Sequence, residues 1–179
     1  MNLQRFLSSI LLVCFFAANA QGSEQSDKVD AIVAQLKAVQ VQLDTMVDVG
    51  GEYAYKQLTM KNKFSPFAVG VNQDDQIIVL EIPKTESKVS FTDKIIKLRQ
   101  LLKASANKNK ITAGALFVQA EVPHQGTIMA GVAIEMEHEE GLSILRFSPY
   151  DIDLKTQQLK FRKPVDKEKP VVFFKGPGK

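Results

Sequence analysis

Residues 111–150 read ITAGALFVQA EVPHQGTIMA GVAIEMEHEE GLSILRFSPY. Ile111–Val122, Thr127–His138 and Leu142–Tyr150 are three strands in succession, divided by the turn residues Pro123-His124-Gln125-Gly126 and Glu139-Glu140-Gly141. Connections this short cannot carry a parallel crossover, so the three form an antiparallel meander. In the middle strand Ile128, Ala130, Val132, Ile134 and Met136 alternate with Thr127, Met129, Gly131, Ala133, Glu135 and Glu137. Side chains alternate across a strand, so one face is apolar and packs inward beneath a helix, while the other turns acidic toward its end.

Ahead of the meander, Ser90 stands three residues before Asp93, a capping-box-like start for a helix through Ile95, Ile96, Leu98, Leu101 and Leu102 to about Ser105, closed by Asn107-Lys108-Asn109-Lys110. Earlier still, Phe64–Val71 and Gln76–Ile82 read as strands joined by the polar turn Asn72-Gln73-Asp74-Asp75, with Pro83 ending the hairpin. Val29, Ile32, Val33, Leu36, Val39, Leu43, Met46 and Val47 recur at helical spacing, which predicts an amphipathic helix over 27–48. Gly50-Gly51 reads as its stop, because glycine takes the left-handed conformation without steric cost. Residues 52–63 fit either a second helical stretch or an extended one. Beyond the meander, Leu159–Arg162 and Val171–Phe174 flank the charged, proline-bounded 163–170 and read as a terminal hairpin, with Pro170 suiting an edge position.

The expected fold class is α+β: a two-layer sandwich, an antiparallel sheet of five to seven strands covered on one face by helices. Its β-β-α-β-β-β core, residues 64–154, follows the long N-terminal helix, and a basic hairpin or tail, 155–179, ends the chain. The order of elements resembles that of profilin-like and roadblock-like folds, a likeness of topology that carries no activity.

Residues 1–20 have the three parts of a cleavable signal peptide: Arg5, the apolar run Phe6–Phe16 interrupted by Ser8 and Ser9, and Ala18-Asn19-Ala20 as the small-residue cleavage site. The run is shorter than the roughly 20 residues a spanning helix needs. Val13 before Cys14 and Phe15-Phe16 after it argue against a lipid-attachment site. Cleavage after residue 20 of 179 leaves a single domain of 159 residues, 21–179, without cysteine. Arg5 leaves with the signal, so the net charge falls from +3 to +2. A domain of that length buries roughly two-thirds of its unfolded surface and needs no disulfide. No Asn-x-Ser/Thr sequon follows the signal. The expected location is the bacterial periplasm, with the extracellular space second.

Phe64-Ser65-Pro66-Phe67-Ala68, the Ile95-Ile96-Lys97-Leu98-Arg99 helix, and Glu137-His138-Glu139-Glu140-Gly141 leading to Ser148-Pro149-Tyr150 resemble landmarks of a group of small bacterial α+β proteins. That group shares an aromatic-x-Pro-Phe-Gly strand opening, a Leu-rich helix, a Glu-His-x-x-Gly turn and a closing Pro-Tyr, in this order. The likeness spans Tyr53–Tyr150, with Ala68 in place of the usual Gly. It implies a fold and supplies no activity.

The densest polar group is Glu135, Glu137, His138, Glu139 and Glu140. A metal needs converging ligands, and strand alternation sends Glu137 and His138 to opposite faces, so a solvated strand end and turn is expected. His124 has only Glu121 near it in sequence, an incidental pairing. Glu52 with Glu81 is arithmetically open as an acid pair, the arrangement that hydrolyses sugar linkages. With no cysteine after the signal, no Gly-x-Ser-x-Gly elbow and two histidines, nucleophilic catalysis is not expected. No catalytic, cofactor or metal residues are assigned. Tyr53, Tyr55, Phe64 and Phe67 fit core filling better than a site.

Residues 88–110 carry seven basic residues against Asp93, and 155–179 carry eight against Asp166 and Glu168; between them 135–153 holds six acids and Arg146. These segments either neutralise one another across the fold or leave the Lys-rich tail, with Phe161, Phe173 and Phe174, as a surface for an anionic partner. Nucleic acid is disfavoured by export and by the near-balanced charge. The expected function is a non-catalytic protein-interaction or binding module, with a protein partner or a homodimer formed by sheet or helix faces. The alternatives are a small acid-dependent hydrolase and a carrier of a small apolar ligand between helices and sheet.

Overall fold

A computed structural model describes residues 24–82, 89–124, 126–153, 156 and 158–174. The signal segment, Pro83, Gln125 and the last residues of the tail lie outside the described residues. In chain order the elements are α1 (Glu24–Lys61), β1 (Phe67–Val71), β2 (Ile77–Leu80), α2 (Phe91–Asn107), β3 (Ala113–His124), β4 (Thr127–His138), β5 (Ser143–Asp153), β6 (Gln158–Phe161) and β7 (Val165–Glu168). Two compact units divide the chain at Gln40; the first contains the beginning of α1, and the second, from Val41, contains the sheet.

The α+β architecture is the expected one. β3, β4 and β5 form the meander, paired in register from Ala113↔His138 to His124↔Thr127 and from Gly131↔Pro149 to Glu137↔Ser143. β1 lies against β3 and β2 against β1, so the antiparallel sheet of seven strands runs β2-β1-β3-β4-β5-β6, with β7 also on β5. The expected two layers, with the helices together on one face, are corrected: from Val41 onward α1 covers one face and α2 the other, because both faces of β1 and β3 are apolar and each needs a cover. Phe67, Val69, Ala115, Phe117, Val132, Ile134 and Met136 share the face toward α1, and Ala68, Leu116, Val118, Glu135 and Glu137 the opposite one. On that second face Leu98, Leu102 and Ala106 of α2 join Ala68, Ile111, Leu116 and Phe173 in a buried cluster. The α2 start has the expected cap: Asp93 N–H donates to Ser90 Oγ at 3.1 Å, and Ser90 Oγ–H to the Asp93 carboxylate at 2.6 Å.

α1 corrects the expected stop at Gly50-Gly51. The buried stripe Leu43, Met46, Gly50, Ala54 and Leu58 recurs every three or four residues and passes through Gly50, so residues 52–61 belong to the same helix. Gly50 serves a close approach: a Cβ there would lie 2.1 Å from Phe117 Cζ. Phe117 is fully buried and stacked on Phe67, rings 4.8 Å apart and 6° from parallel, and Phe67 in turn meets the edges of Tyr53 and Phe64. The true stop is Asn62, at φ 55, whose N–H returns to Leu58 O at 2.8 Å. Asparagine tolerates that conformation because its short polar side chain bonds locally. β1 therefore starts at Phe67, three residues after the expected Phe64.

The expected terminal hairpin is also corrected. β6 and β7 both line β5: Tyr150↔Phe161 is followed by Phe147↔Val165, three residues of β5 against four of the outer chain. The extra residue is a bulge at Arg162–Pro164, compatible with an edge because proline has no N–H to donate. Residues 171–174 are not a strand; the N–H groups of Val172, Phe173 and Phe174 find a side-chain acceptor instead.

The adjacent glycines of α1 should respond to alanine with opposite signs. Nothing lies within 4 Å of a Cβ at Gly51, so Gly51→Ala stabilises by about 1 kcal/mol through helix propensity. Gly50→Ala overpacks Phe117 and lowers stability by about 1–3 kcal/mol. Urea unfolding of the two variants measures both.

Candidate functional site

The acidic end of β4 is enclosed, contrary to the solvated strand end expected from its charge. Glu137 is fully buried on the α2 face. Its carboxylate accepts the N–H groups of Val172 at 2.8 Å, Phe173 at 2.6 Å and Phe174 at 3.3 Å, together with the Lys169 ammonium. Lys169 also stands 5.1 Å from the centroid of the Phe173 ring, and Phe173 inserts into the α2 cluster. Burying a carboxylate is tolerated only when its lone pairs are filled, and here four donors fill them. Two residues back, Glu135 forms a two-pronged pair with Arg99 of α2.

His138 emerges on the opposite face, as alternation requires. Its Nδ1 accepts from Glu140 N–H at 3.1 Å and its Nε2 lies 2.8 Å from Gln42 Oε1. Those partners define the neutral ring, with the proton on Nε2 donated to Gln42. Gln42 passes its amide N–H on to Asp75 at 2.6 Å, so one chain of bonds ties α1 to the β1–β2 and β4–β5 turns. Burial lowers the His138 pKa below 6.5, against a smaller opposing pull from Glu140. Burial, then Glu140, pushes the Glu139 carboxyl up.

The remaining candidates are dispersed. Glu52 is exposed and pairs with Lys56 at 3.9 Å, whereas Glu81 accepts from Tyr53 Oη at 3.0 Å, so the two carboxylates have separate partners. His124 and Glu121 are exposed at the end of β3. Phe64 and Phe67 fill the core, and Tyr55 is 43% exposed. The charged segments meet as the neutralisation reading expects: Arg99 with Glu135, Arg162 with Asp151, and Lys169 with Glu137.

A concavity of about 660 Å³ lies where, of these residues, only Glu52, Tyr55 and Arg162 fall. Its floor is Val132 and Ile134 of β4 with Ser148 of β5; its walls are Val47, Gly51, Ala54 and Tyr55 of α1, and Phe161, Arg162 and Pro164 of the bulged edge. Asp48, Glu52 and Lys56, each about one helical turn from the next, form a charged rim. The groove exists because two small residues face it, Gly51 and Ser148, while the bulge carries Pro164 to its far side. Its far wall is held in place. Phe161 packs edge-on against Tyr150 at 5.9 Å, and Arg162 grips Asp151 through two bonds of 2.6 Å. Tyr150 is itself fixed by Gln119, whose amide donates to the phenol oxygen at 2.9 Å. Such a site offers apolar contact and a rim of both charge signs, which suits binding. The sequence carries no sign of this groove because its walls come from α1 and β6: in the sequence Tyr55 reads as core, Glu52 as half of an acid pair and Phe161 as part of the basic tail.

Two expectations follow from the buried polar groups. Glu137→Gln removes the partner of Lys169 and turns an acceptor into a donor, at a cost of about 3–5 kcal/mol; urea unfolding measures it, and faster amide exchange at Val172–Phe174 locates it. His138 binds its proton less readily folded than unfolded, so its contribution to stability is complete above about pH 6.5 and is lost as the pH falls below that value toward its depressed folded pKa. His138→Gln should flatten the pH dependence of the melting temperature across that window. Compared with known protein families, curated proteins and solved structures, the chain matches none.

Proposed function

We propose that the protein is an exported, non-catalytic binding module of the bacterial periplasm, and that the groove between α1 and the β4–β6 side of the sheet is where its partner binds. The observation that carries this reading is the apolar groove of about 660 Å³ with anchored walls. That volume falls in the range of sites that enclose small ligands or a few side chains of a partner. Tyr55 and Phe161 supply aromatic contact of the kind that dominates interface energetics. Export is supported by the charge, apolar run and small-residue end of residues 1–20. The preferred occupant is an apolar segment of a partner polypeptide, whose flanking charges would meet Asp48, Glu52, Lys56 and Arg162.

A hydrolytic role has less support. Glu137 has its oxygens filled and no exposure, and Glu52 and Glu81 are engaged separately. Carriage of a small apolar molecule is the second reading, favoured by the same volume.

A photo-crosslinking residue at Tyr55, in cells exporting the protein, tests the proposal. Capture of one partner that Gly51→Phe abolishes and Gly51→Ala preserves is the expected result, since the larger side chain enters open groove. A small-molecule adduct in native mass spectrometry, lost in Gly51→Phe, would favour carriage. Capture indifferent to Gly51→Phe would remove the groove as the site.

A further inference from the structure

We infer that two copies of this chain pair through their β2 strands, joining their sheets edge to edge about a two-fold axis. The inference is independent of the groove, which lies toward the other side of the sheet.

The sheet has two unlike edges. At one end, β6 and β7 carry Lys160, Asp166, Lys167 and Glu168, with Lys163 and Pro164 in the bulge between them. Charge, proline and a bulge are the devices that keep an edge from pairing. At the other end β2 is Ile77-Ile78-Val79-Leu80, with no charge, proline or glycine, and among the described residues only β1 pairs with it. Val79, on the α1 face, is 48% exposed.

The backbone fixes how a second strand would bind. Asn72 N–H donates to Gln76 O at 3.0 Å, which makes Asn72 and Gln76 a hydrogen-bonded pair. Alternation along the ladder then turns the backbone groups of Ile78 and Leu80 toward β1 and those of Ile77, Val79 and Glu81 outward. An antiparallel copy can use those outward groups in a register that sets Val79 opposite Val79, Ile78 opposite Leu80 and Ile77 opposite Glu81. This register is its own mirror under two-fold rotation, as an isologous interface must be. It brings no like charges opposite each other, because Glu81 faces Ile77 and not the other Glu81. A head-to-tail alternative, β2 against the β6–β7 edge, would set Ile77–Leu80 against charged side chains and the proline bulge. The occupant that fits is therefore a second copy.

Sedimentation of the full chain tests this, with Val79→Lys as the variant. The exposed position should accept lysine without loss of fold, checked by far-ultraviolet circular dichroism and melting temperature. The expected result is a dimer for the natural sequence and a monomer for Val79→Lys. In a Cys14→Ser background, Val79→Cys should oxidise to a disulfide-linked dimer, because hydrogen-bonded antiparallel neighbours have Cα atoms about 5.5 Å apart, within disulfide reach. Val165→Cys, exposed on the far edge, should not. A natural chain that stays monomeric at every concentration, a dimer that survives Val79→Lys, or equal oxidation of both cysteine variants would each overturn the inference. Groove crosslinking from Tyr55 unchanged in Val79→Lys would show that the two surfaces act separately.

Discussion

The approach of the α1 backbone to the Phe117 ring sets the geometry of the second unit. Gly50 has no side chain where a Cβ would come within 2.1 Å of that ring. The helix therefore rides directly over β3, and Phe117 is sealed between α1 and the stacked ring of Phe67. Glycine in a helix interior costs about 1 kcal/mol relative to alanine, and close packing of a large aromatic ring offsets it. With Gly50 over the Phe117 ring of β3, neighbouring residues of α1 reach other strands and turns. Gln42 reaches Asp75 and His138, Tyr53 reaches Glu81, and the β4–β6 side remains only partly covered.

The opposite face is organised by the cost of burying charge. The alternation that makes one face of β4 apolar also sends Glu135 and Glu137 under α2 and the tail. Neither carboxylate could remain there without partners. Arg99 comes from the first basic segment and Lys169 from the second, and the backbone of 172–174 bends to complete the shell around Glu137. The basic excess of both segments is thus partly a structural requirement of the acidic strand between them. Phe173 joins the α2 cluster as a consequence of that shell, so the tail closes the core it follows.

Function and assembly are proposed at separate places in the same sheet. The groove lies where the bulged edge and two small residues keep α1 from sealing the sheet, and the pairing edge is the uncharged β2. Neither place needs the side chains that first suggest chemistry. His138 and Glu137 are engaged in holding elements together.

The sequence by itself determined the elements that depend on local pattern. The meander, the β1–β2 hairpin and the capped α2 follow from alternation, turn residues and a side chain three positions from its own backbone partner. It misread Gly50-Gly51, because glycine at a helix end and glycine under an aromatic ring look the same until the ring is placed. It also misread 163–174, where charge and proline suggested a turn between strands while Arg146 and β5 held residues 165–168 as an edge strand. The burial of Glu137, the side of the sheet each helix takes, the groove and the unequal edges were decided by tertiary structure alone. Each depends on which distant residues share a face, and strand pairing, not local sequence, fixes that.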